Sequence, residues 1–369
     1  MQPQEQATAN DGTATQADRI DEGRLNELLG RVVVDFGATS TAPLVLIGDR
    51  LGLYRALAGG GPATSQELAD RTETAERYVR EWLNAQAASG YVSYDAATGL
   101  YSMSPEQQLV FAQENGPAFL VGAFEFAVGA GRIMDRLTDA FRTGEGVNYH
   151  EHDHAVFHGI ERFFRSSYIG NLIDTWLPSL DGVSDKLNAG ARVADIGCGH
   201  GASTILMAQA FPASSFIGFD FHAESIAEAN KRAAAAGVAE RCRFEVAGAK
   251  DFPGSEYDLL TTFDALHDMG DPEGASRHAL STLAADGVWM IVEPFAGDRV
   301  EENLNPVGRA YYAGSTLICT PCSLAQDVGL ALGAQAGEAR MRAVVTGAGF
   351  TRFRRAMQTP FNLIYEARP

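Results

Sequence analysis

The sequence predicts an α/β protein: a doubly wound parallel-sheet domain behind a smaller, mostly helical N-terminal domain. Three observations carry that expectation. From about residue 190, short apolar runs alternate with Ala-rich helical segments, the pattern of a parallel sheet covered on both faces. One of these runs leads into VADIGCGHG (193–201), a glycine-rich turn that opens a helix. Before residue 180 the apolar residues recur instead at helical spacing.

At 369 residues the chain is too long for one average domain and fits two plus a tail. Residues 1–22 are polar, lack periodic apolar positions and read as a disordered tail. Residues 23–180 form the helical domain and a linker helix, and 181–369 the sheet domain. In the first domain Leu44, Ile47, Leu51 and Tyr54 trace a helix face that stops at Gly59-Gly60-Gly61-Pro62. Thr64 with Glu67 is a capping box opening a second helix. Tyr78, Val79, Trp82, Leu83 and Ala87 line a third, and strands at 91–94 and 100–103 follow. Helix, helix, helix and hairpin make a winged-helix pattern. Residues 105–143 read as helical, nearly all-apolar from Ala118 to Ala130 and therefore buried. Another amphipathic helix runs from Ile160 to Leu177.

Strands are expected at Arg192–Ile196, Ser215–Phe219, Cys242–Val246, Leu259–Phe263 and Val288–Val292, with a closing pair at Phe350–Arg355 and Phe361–Glu366. The stretch Phe295–Leu332 is too long for a simple connection.

Composition excludes several classes. The formal charge is −18 and the pI about 4.8, with no basic run to grip a phosphate backbone. The helix in the recognition position carries Glu73, Glu76 and Glu81 beside Arg77 and Arg80, whereas groove-reading helices favour Arg, Lys, Asn and Gln. No nucleic-acid partner is expected. Nor is a signal peptide, since the N-terminus lacks a basic and an apolar region. No apolar stretch approaches the ~18 residues of a membrane span, so the expected compartment is the cytoplasm. Four cysteines make no disulfide framework. Cys319 and Cys322 form a lone CxxC, half the ligands of a structural zinc site. In YHEHDHAVFH (149–158), His154 and His158 share a helix face at a spacing that a metal could use, but a solvated or structural role comes first, a pocket wall second and a metal last. No metal is assigned.

The chemistry sits in the sheet domain. Gly197, Gly199 and Gly201 let the backbone turn tightly and approach a ligand at a helix N-terminus. Asp220 ends the next strand, where a carboxylate takes both hydroxyls of a ribose. A dinucleotide reading also fits the glycines. Asp195 separates the two, because a carboxylate at the mouth of the crevice repels a pyrophosphate and attracts the ammonium and sulfonium of S-adenosylmethionine.

On these residues the sheet domain resembles a class I S-adenosylmethionine-dependent methyltransferase. From about residue 25 the chain resembles small-molecule O-methyltransferases with an N-terminal winged-helix dimerisation domain, actinobacterial members in particular. VADIGCGHG matches the family's first motif, FIGFDFH (216–222) the second, FDALHDMGDP (263–272) the segment after the fourth strand, and VWMIVEP (288–294) the fifth strand. The resemblance implies a Rossmann-like domain binding S-adenosylmethionine and releasing S-adenosylhomocysteine, with Phe221, Ala249, Phe263 and Asp264 joining Asp195, Asp220 and the glycines around it. It also implies a homodimer. Two departures stand out. The position that carries an adenine-binding acid in many members is Gly248 here, so the backbone at Ala249 and Lys250, or Asp251, must serve. The HDW of plant enzymes is His267-Asp268-Met269.

His267 is the candidate base: it lies just past a strand's carboxyl end, with an ordinary pKa near neutrality. The resemblance makes Glu293 its supporting carboxylate and puts a second supporting position on Gln335, with Glu338 three residues on. The acceptor, a small hydroxylated molecule, is expected between the 295–332 insertion and the linker helix, against Phe163, Phe164, Tyr168, Tyr311 and Tyr312. A carbon or nitrogen acceptor, or a cofactor-binding regulator without catalysis, are the alternatives.

Overall fold

The computed structural model describes residues 20–369. Most of the expected tail, residues 1–19, lies outside the described residues. Asp21 caps the first helix by accepting from the Arg24 amide, so helical structure starts at Glu22.

That helix, α1 (Glu22–Arg50), is longer than the apolar periodicity indicated, and it corrects one expectation. By length and composition alone it is long and apolar enough to cross a membrane. Only its last turns are buried, at Val45, Leu46, Gly48 and Asp49. The Leu44–Tyr54 face is broken at Gly52, whose φ of 70° ends one helix and starts α2 (Leu53–Gly60). α3 (Ser65–Thr72) opens on the expected capping box, and α4 (Glu76–Ala88) follows. The wing is a hairpin of β1 (Ser93–Asp95) and β2 (Leu100–Ser102). Tyr54, Trp82, Leu83 and Phe111 fill the small core beneath it.

The 105–143 stretch is not one helix. It breaks into α5 (Pro105–Phe111), α6 (Val121–Ala130) and α7 (Met134–Thr143), with residues 112–120 crossing between the first two. The linker helix α8 begins earlier than expected, at His154, runs to Asn171 and ends in a π-helical turn, Leu172–Trp176. α6 and α8 cross in backbone contact: a Cβ on Gly159 would sit 2.4 Å from the Phe126 nitrogen. Arg162 of α8 is buried among carboxylates of three elements, at 2.9 Å from Asp49, 3.0 Å from Glu125 and 3.1 Å from Glu114.

After α9 (Val183–Ala189) comes a seven-stranded sheet in the order β5-β4-β3-β6-β7-β9-β8. Its strands are β3 (Arg192–Ile196), β4 (Ser215–Asp220), β5 (Cys242–Val246), β6 (Tyr257–Phe263), β7 (Leu283–Pro294), β8 (Arg352–Gln358) and β9 (Asn362–Arg368). β5 through β7 are parallel, and β9 lies antiparallel to both neighbours. Helices α10 (Ala202–Ala210), α11 (Ala223–Ala235), α12 (Pro272–Thr282) and α15 (Gly337–Gly347) cover the sheet, giving one apolar core on each face. The chain winds outward from β3 in one direction and from β6 in the other, so a crevice opens between their carboxyl ends, where open sheets place ligands. The insertion between β7 and α15 contributes α13 (Pro306–Gly314), a π-helical turn (Ser315–Cys319) and α14 (Thr320–Leu324).

Candidate active site

At that crevice the structure holds a cavity of about 460 Å³. Its floor is the β3–α10 turn. Gly197 and Gly201 stand at φ 74° and 77°, conformations that side chains with a Cβ rarely adopt. Gly197 and Gly199 line the cavity, whereas Gly201 faces Phe244, whose ring would lie 2.5 Å from a Cβ there. Gly201 thus serves close helix–sheet packing. Asp220 lines the wall and accepts the Gly199 amide at 3.0 Å and the His222 amide at 2.9 Å, one on each oxygen. Each oxygen keeps a further lone pair for a ligand. Burial raises its pKa. Phe221, Ala249, Phe263 and Asp264 also line the cavity, as do Lys250 and Asp251. Asp251 folds back to accept the Gly248 amide at 3.0 Å, which shapes the turn that has no acid at 248.

Asp195 is placed differently from the sequence expectation. It is fully buried, and three hydroxyls donate to it: Ser203 at 2.8 Å, Thr204 at 2.6 Å and Thr261 at 2.9 Å. Its carboxylate ties β3 to β6 and to the start of α10 instead of opening on the cavity. Burial still drives its pKa upward, with the hydroxyls opposing. A different acid reaches the cavity at that end: Glu161 of α8, with His200 opposite. Glu161 lies 2.8 Å from Arg232 and 3.5 Å from Arg165, yet neither carboxylate oxygen has an aligned hydrogen bond. Sequence reasoning missed Glu161, since nothing local marks it; only the crossing of α8 over α10 brings it in.

Beyond β6 the chain turns sharply. Asp264 adopts φ 49°, uncommon for a residue other than glycine. Its side chain receives the Tyr168 hydroxyl at 3.2 Å and the Asn362 amide at 3.1 Å. Burial, with Glu293 nearby, pushes its pKa well above the usual carboxylate range. His267 follows in a single 3₁₀ turn, Leu266–Asp268. Its Nδ1 is 2.5 Å from Glu293, whose other oxygen accepts the Leu266 amide at 3.1 Å. Its Nε2 is 2.9 Å from Asp268 Oδ1, close in distance but too bent to form a hydrogen bond. Burial works against the imidazolium, but the carboxylates of Asp268 and Glu293 outweigh it and hold the His267 pKa well above its ordinary value.

His267 and Glu293 are nearly fully buried and lie behind the cavity wall, and Asp268 stands between Nε2 and the open space. Gln335 is not a second support. Its amide donates to the carbonyls of Phe295 and Ala334, and Glu338 is engaged by Arg342 and Arg355. Asp268, next in sequence to the histidine, holds that place.

Of the expected acceptor aromatics, Phe164 and Tyr168 line the cavity. Phe163 turns away against Phe164 and the α6 crossing. Tyr311 sends its hydroxyl to the Phe361 carbonyl at 2.9 Å, and Tyr312 is also off the cavity wall. Tyr149 and Phe157 complete the apolar side, and Tyr149 packs edge-on against Phe221. The histidines around them disperse. His158 pairs with Glu125 at 2.9 Å and His152 turns inward to Cys322, and among the described residues none of these histidines belongs to a cluster of three metal-type donors.

Comparison with known proteins agrees with this geometry. Residues 187–331 match the family model of a methyltransferase domain, and residues 39–113 that of an Rv2258c-like winged helix-turn-helix domain. Among curated proteins, 27-O-demethylrifamycin SV methyltransferase of Amycolatopsis mediterranei is 33% identical over 135 residues, 34% of this chain and 49% of that protein. Trans-aconitate 2-methyltransferase of Paracidovorax citrulli is 34% identical over 108 residues, 29% and 40% of the two chains. The chain thus spans less than half the length of these relatives. Two solved structures share the whole fold. Mitomycin 7-O-methyltransferase superposes with a TM-score of 0.66 at 18% identity, covering 95% of this chain and 100% of that one. Human N-acetylserotonin methyltransferase, solved with S-adenosylmethionine, gives 0.66 at 17% identity over 96% and 99%.

Proposed function

We propose that this chain, which carries a methyltransferase domain behind a winged-helix domain, transfers the methyl group of S-adenosylmethionine to a hydroxyl of a small aromatic metabolite. One observation carries the reading: the glycine turn with Asp220 and the Asp264–Asp268 turn open on the same cavity. The residues present suit the nucleoside. Asp220 has free lone pairs for the ribose, and the Phe221 ring and the turn at Ala249 offer an apolar slot for adenine. Glu161 supplies the carboxylate for the methionine ammonium that Asp195, saturated by hydroxyls, does not.

Bound there, S-adenosylmethionine supplies an already activated methyl group, so the chain's part is to position the acceptor, exclude water and take up a proton. Phe164, Tyr168 and Phe157 form the apolar wall against which an aromatic acceptor lies. Its hydroxyl displaces Asp268 from Nε2 of His267. With Asp268 withdrawn the imidazolium sheds its Nε2 proton to Asp268 or solvent, and Glu293 on Nδ1 holds the neutral tautomer whose Nε2 lone pair then receives the acceptor's proton. A buried histidine–carboxylate pair of this kind favours an oxygen acceptor over a carbon or nitrogen acceptor that needs no base. A DNA-binding regulator finds little support in α4, where Arg77 pairs with Glu81 and Arg80 with Glu76.

The product is S-adenosylhomocysteine. The working unit is a homodimer, because α1 exposes Leu28, Val32 and Phe36 at i, i+4 spacing, with Val33 and Val34 around its circumference, apolar surface that a second copy would cover. The cytoplasm fits four cysteines with no disulfide among them.

The test is calorimetric titration with S-adenosylmethionine, S-adenosylhomocysteine and NAD. The two sulfur nucleosides should bind and NAD should not. Asp220→Ala, which loses charge-assisted bonds of ~1.5–3 kcal/mol each to the ribose, should weaken binding at least ~10-fold. Binding of NAD alone would overturn the reading.

A further inference from the structure

In sequence Cys319 and Cys322 are half a zinc site; the fold brings further donors to Cys319. The pair straddles the junction of the π-helical turn with α14, three residues apart and so on one helix face. Facing Cys319 is the turn that carries His267 and Asp268. One donor atom from each of His267, Asp268 and Cys319 lies within 4.8 Å of the other two. Cys322 is buried, lines the cavity together with Asp268, and has its Sγ 3.6 Å from Nε2 of His152. His152 is itself buried, 5% exposed, and its Nδ1 has no partner. Asp268 Oδ1 is likewise without an aligned hydrogen bond, although it touches the imidazole. A carboxylate, an imidazole and the Cys319 thiol thus converge from two separate segments, with polar atoms left unsatisfied, and the Cys322 thiol lies about one helical turn beyond that group.

We propose that Cys319, His267, Asp268 and Cys322 form a binding site for a soft, zinc-class divalent cation at the acceptor end of the cavity. Two sulfurs, one imidazole nitrogen and one carboxylate oxygen are the ligand types that select zinc over calcium or magnesium, which take oxygen alone. Metal–donor distances of ~2.0–2.3 Å require His267, Asp268 and Cys319 to draw together by roughly an ångström, and Cys322, outside their group, to swing in from the same helix junction as the fourth ligand. His152 is a positioning residue: it touches Cys322 and orients the sulfur.

Binding is an exchange of cation for protons. Burial, with Asp268 adding to it, pushes the Cys319 thiol up to about 12, and the Cys322 thiol is raised by the same two causes. Each thiol gives up its proton as its sulfur bonds to the metal, and His267 gives up the proton on the ring nitrogen it commits. Affinity therefore rises with pH. A further consequence, unlike the site itself, rests on His267 acting as the base: a cation on Nε2 takes the lone pair that would accept the hydroxyl proton, so the loaded form is inhibited.

Cobalt(II) titration of the purified full-length chain is the test, because thiolate–cobalt bonds give a near-ultraviolet charge-transfer band that oxygen and nitrogen ligands do not. The band should appear at one equivalent, be displaced by zinc, and vanish in the Cys319→Ser/Cys322→Ser double variant. His152→Ala should keep the band and weaken affinity by ~10–100-fold. Cys242→Ala, on β5 away from the cluster, should change nothing, and S-adenosylmethionine binding by the double variant shows that it is folded. Absence of a band, or its survival in the folded double variant, overturns the site. A zinc-displaceable cobalt band with methyl transfer undiminished by zinc upholds the site and removes the base reading.

Discussion

Replacing Glu293 with glutamine is the most searching test of the catalytic arrangement, because the structure dictates which way the new amide must face. One Glu293 oxygen accepts the Leu266 amide and the other meets Nδ1 of His267. In Glu293→Gln the Leu266 N–H still requires an acceptor, so the amide oxygen stays on that side. The NH₂ group then falls against Nδ1 and donates to it. Nδ1 becomes an acceptor, the ring proton moves to Nε2, and the nitrogen that should receive the acceptor's proton is blocked. A general base contributes ~10²–10⁴-fold in rate, so kcat should fall by that factor, about 2.7–5.4 kcal/mol of barrier. Cofactor affinity should be unchanged, since Glu293 lies behind the cavity wall.

The variant also loses one of the two carboxylates that raise the His267 pKa. The stabilisation that the imidazolium gives the folded state is complete below the ordinary histidine value and is lost as pH rises through the raised one. In the variant that loss moves to lower pH. Nitrogen-15 chemical shifts of labelled histidine report tautomer and titration without any acceptor: the wild-type ring should stay cationic well past neutrality, and the variant should be neutral with its proton on Nε2. A kcat close to wild type, or an unchanged His267 titration, would refute the reasoning.

Two further outcomes follow from the helical domain. Arg162→Ala leaves the carboxylates of Asp49, Glu114 and Glu125 facing one another without their cation; urea denaturation should show a loss of ~3–5 kcal/mol, and a loss below about 1 kcal/mol would mean the cluster is hydrated. Val33→Asp combined with Phe36→Asp should halve the sedimenting mass if α1 meets a second copy. Flotation of the wild-type chain with lipid vesicles would instead mean that α1 enters a membrane.

What the sequence made legible is what local backbone needs impose. The β3–α10 turn requires glycines at positive φ, and β3 to β7 are apolar runs because both sheet faces are covered, so turn and strands are readable within a residue or two, except that β7 starts five residues earlier, at Leu283. Asp220 and His267 sit at strand ends, positions that spacing alone locates. The rest depends on contacts between distant segments. Asp195 reads as a ligand carboxylate, yet one of its three hydroxyl partners, Thr261, comes from another strand and the other two lie inside α10. Asp268 is hidden by being next to the histidine it serves. Phe163 and Phe164 are adjacent and equally aromatic; only the path of α8, whose backbone at Phe163 runs against α6, decides that one ring stays off the cavity and the other faces it. The break at 112–120 escapes periodicity because the segments on both sides of it are helical.

Helix α8 has a consequence for how this protein can be cut and recombined. It anchors itself among the N-terminal helices through Arg162 and walls the cavity with Phe157, Glu161, Phe164 and Tyr168. The segment recognisable as a methyltransferase domain starts at 187, downstream of all of these residues. The boundary drawn by sequence likeness is therefore not the boundary of the working part. A fragment trimmed to that likeness would keep the glycine turn and Asp220 and lose the aromatic wall that we assign to the acceptor. A chimera meant to exchange acceptor preference must carry α8 across with whichever half is to set it.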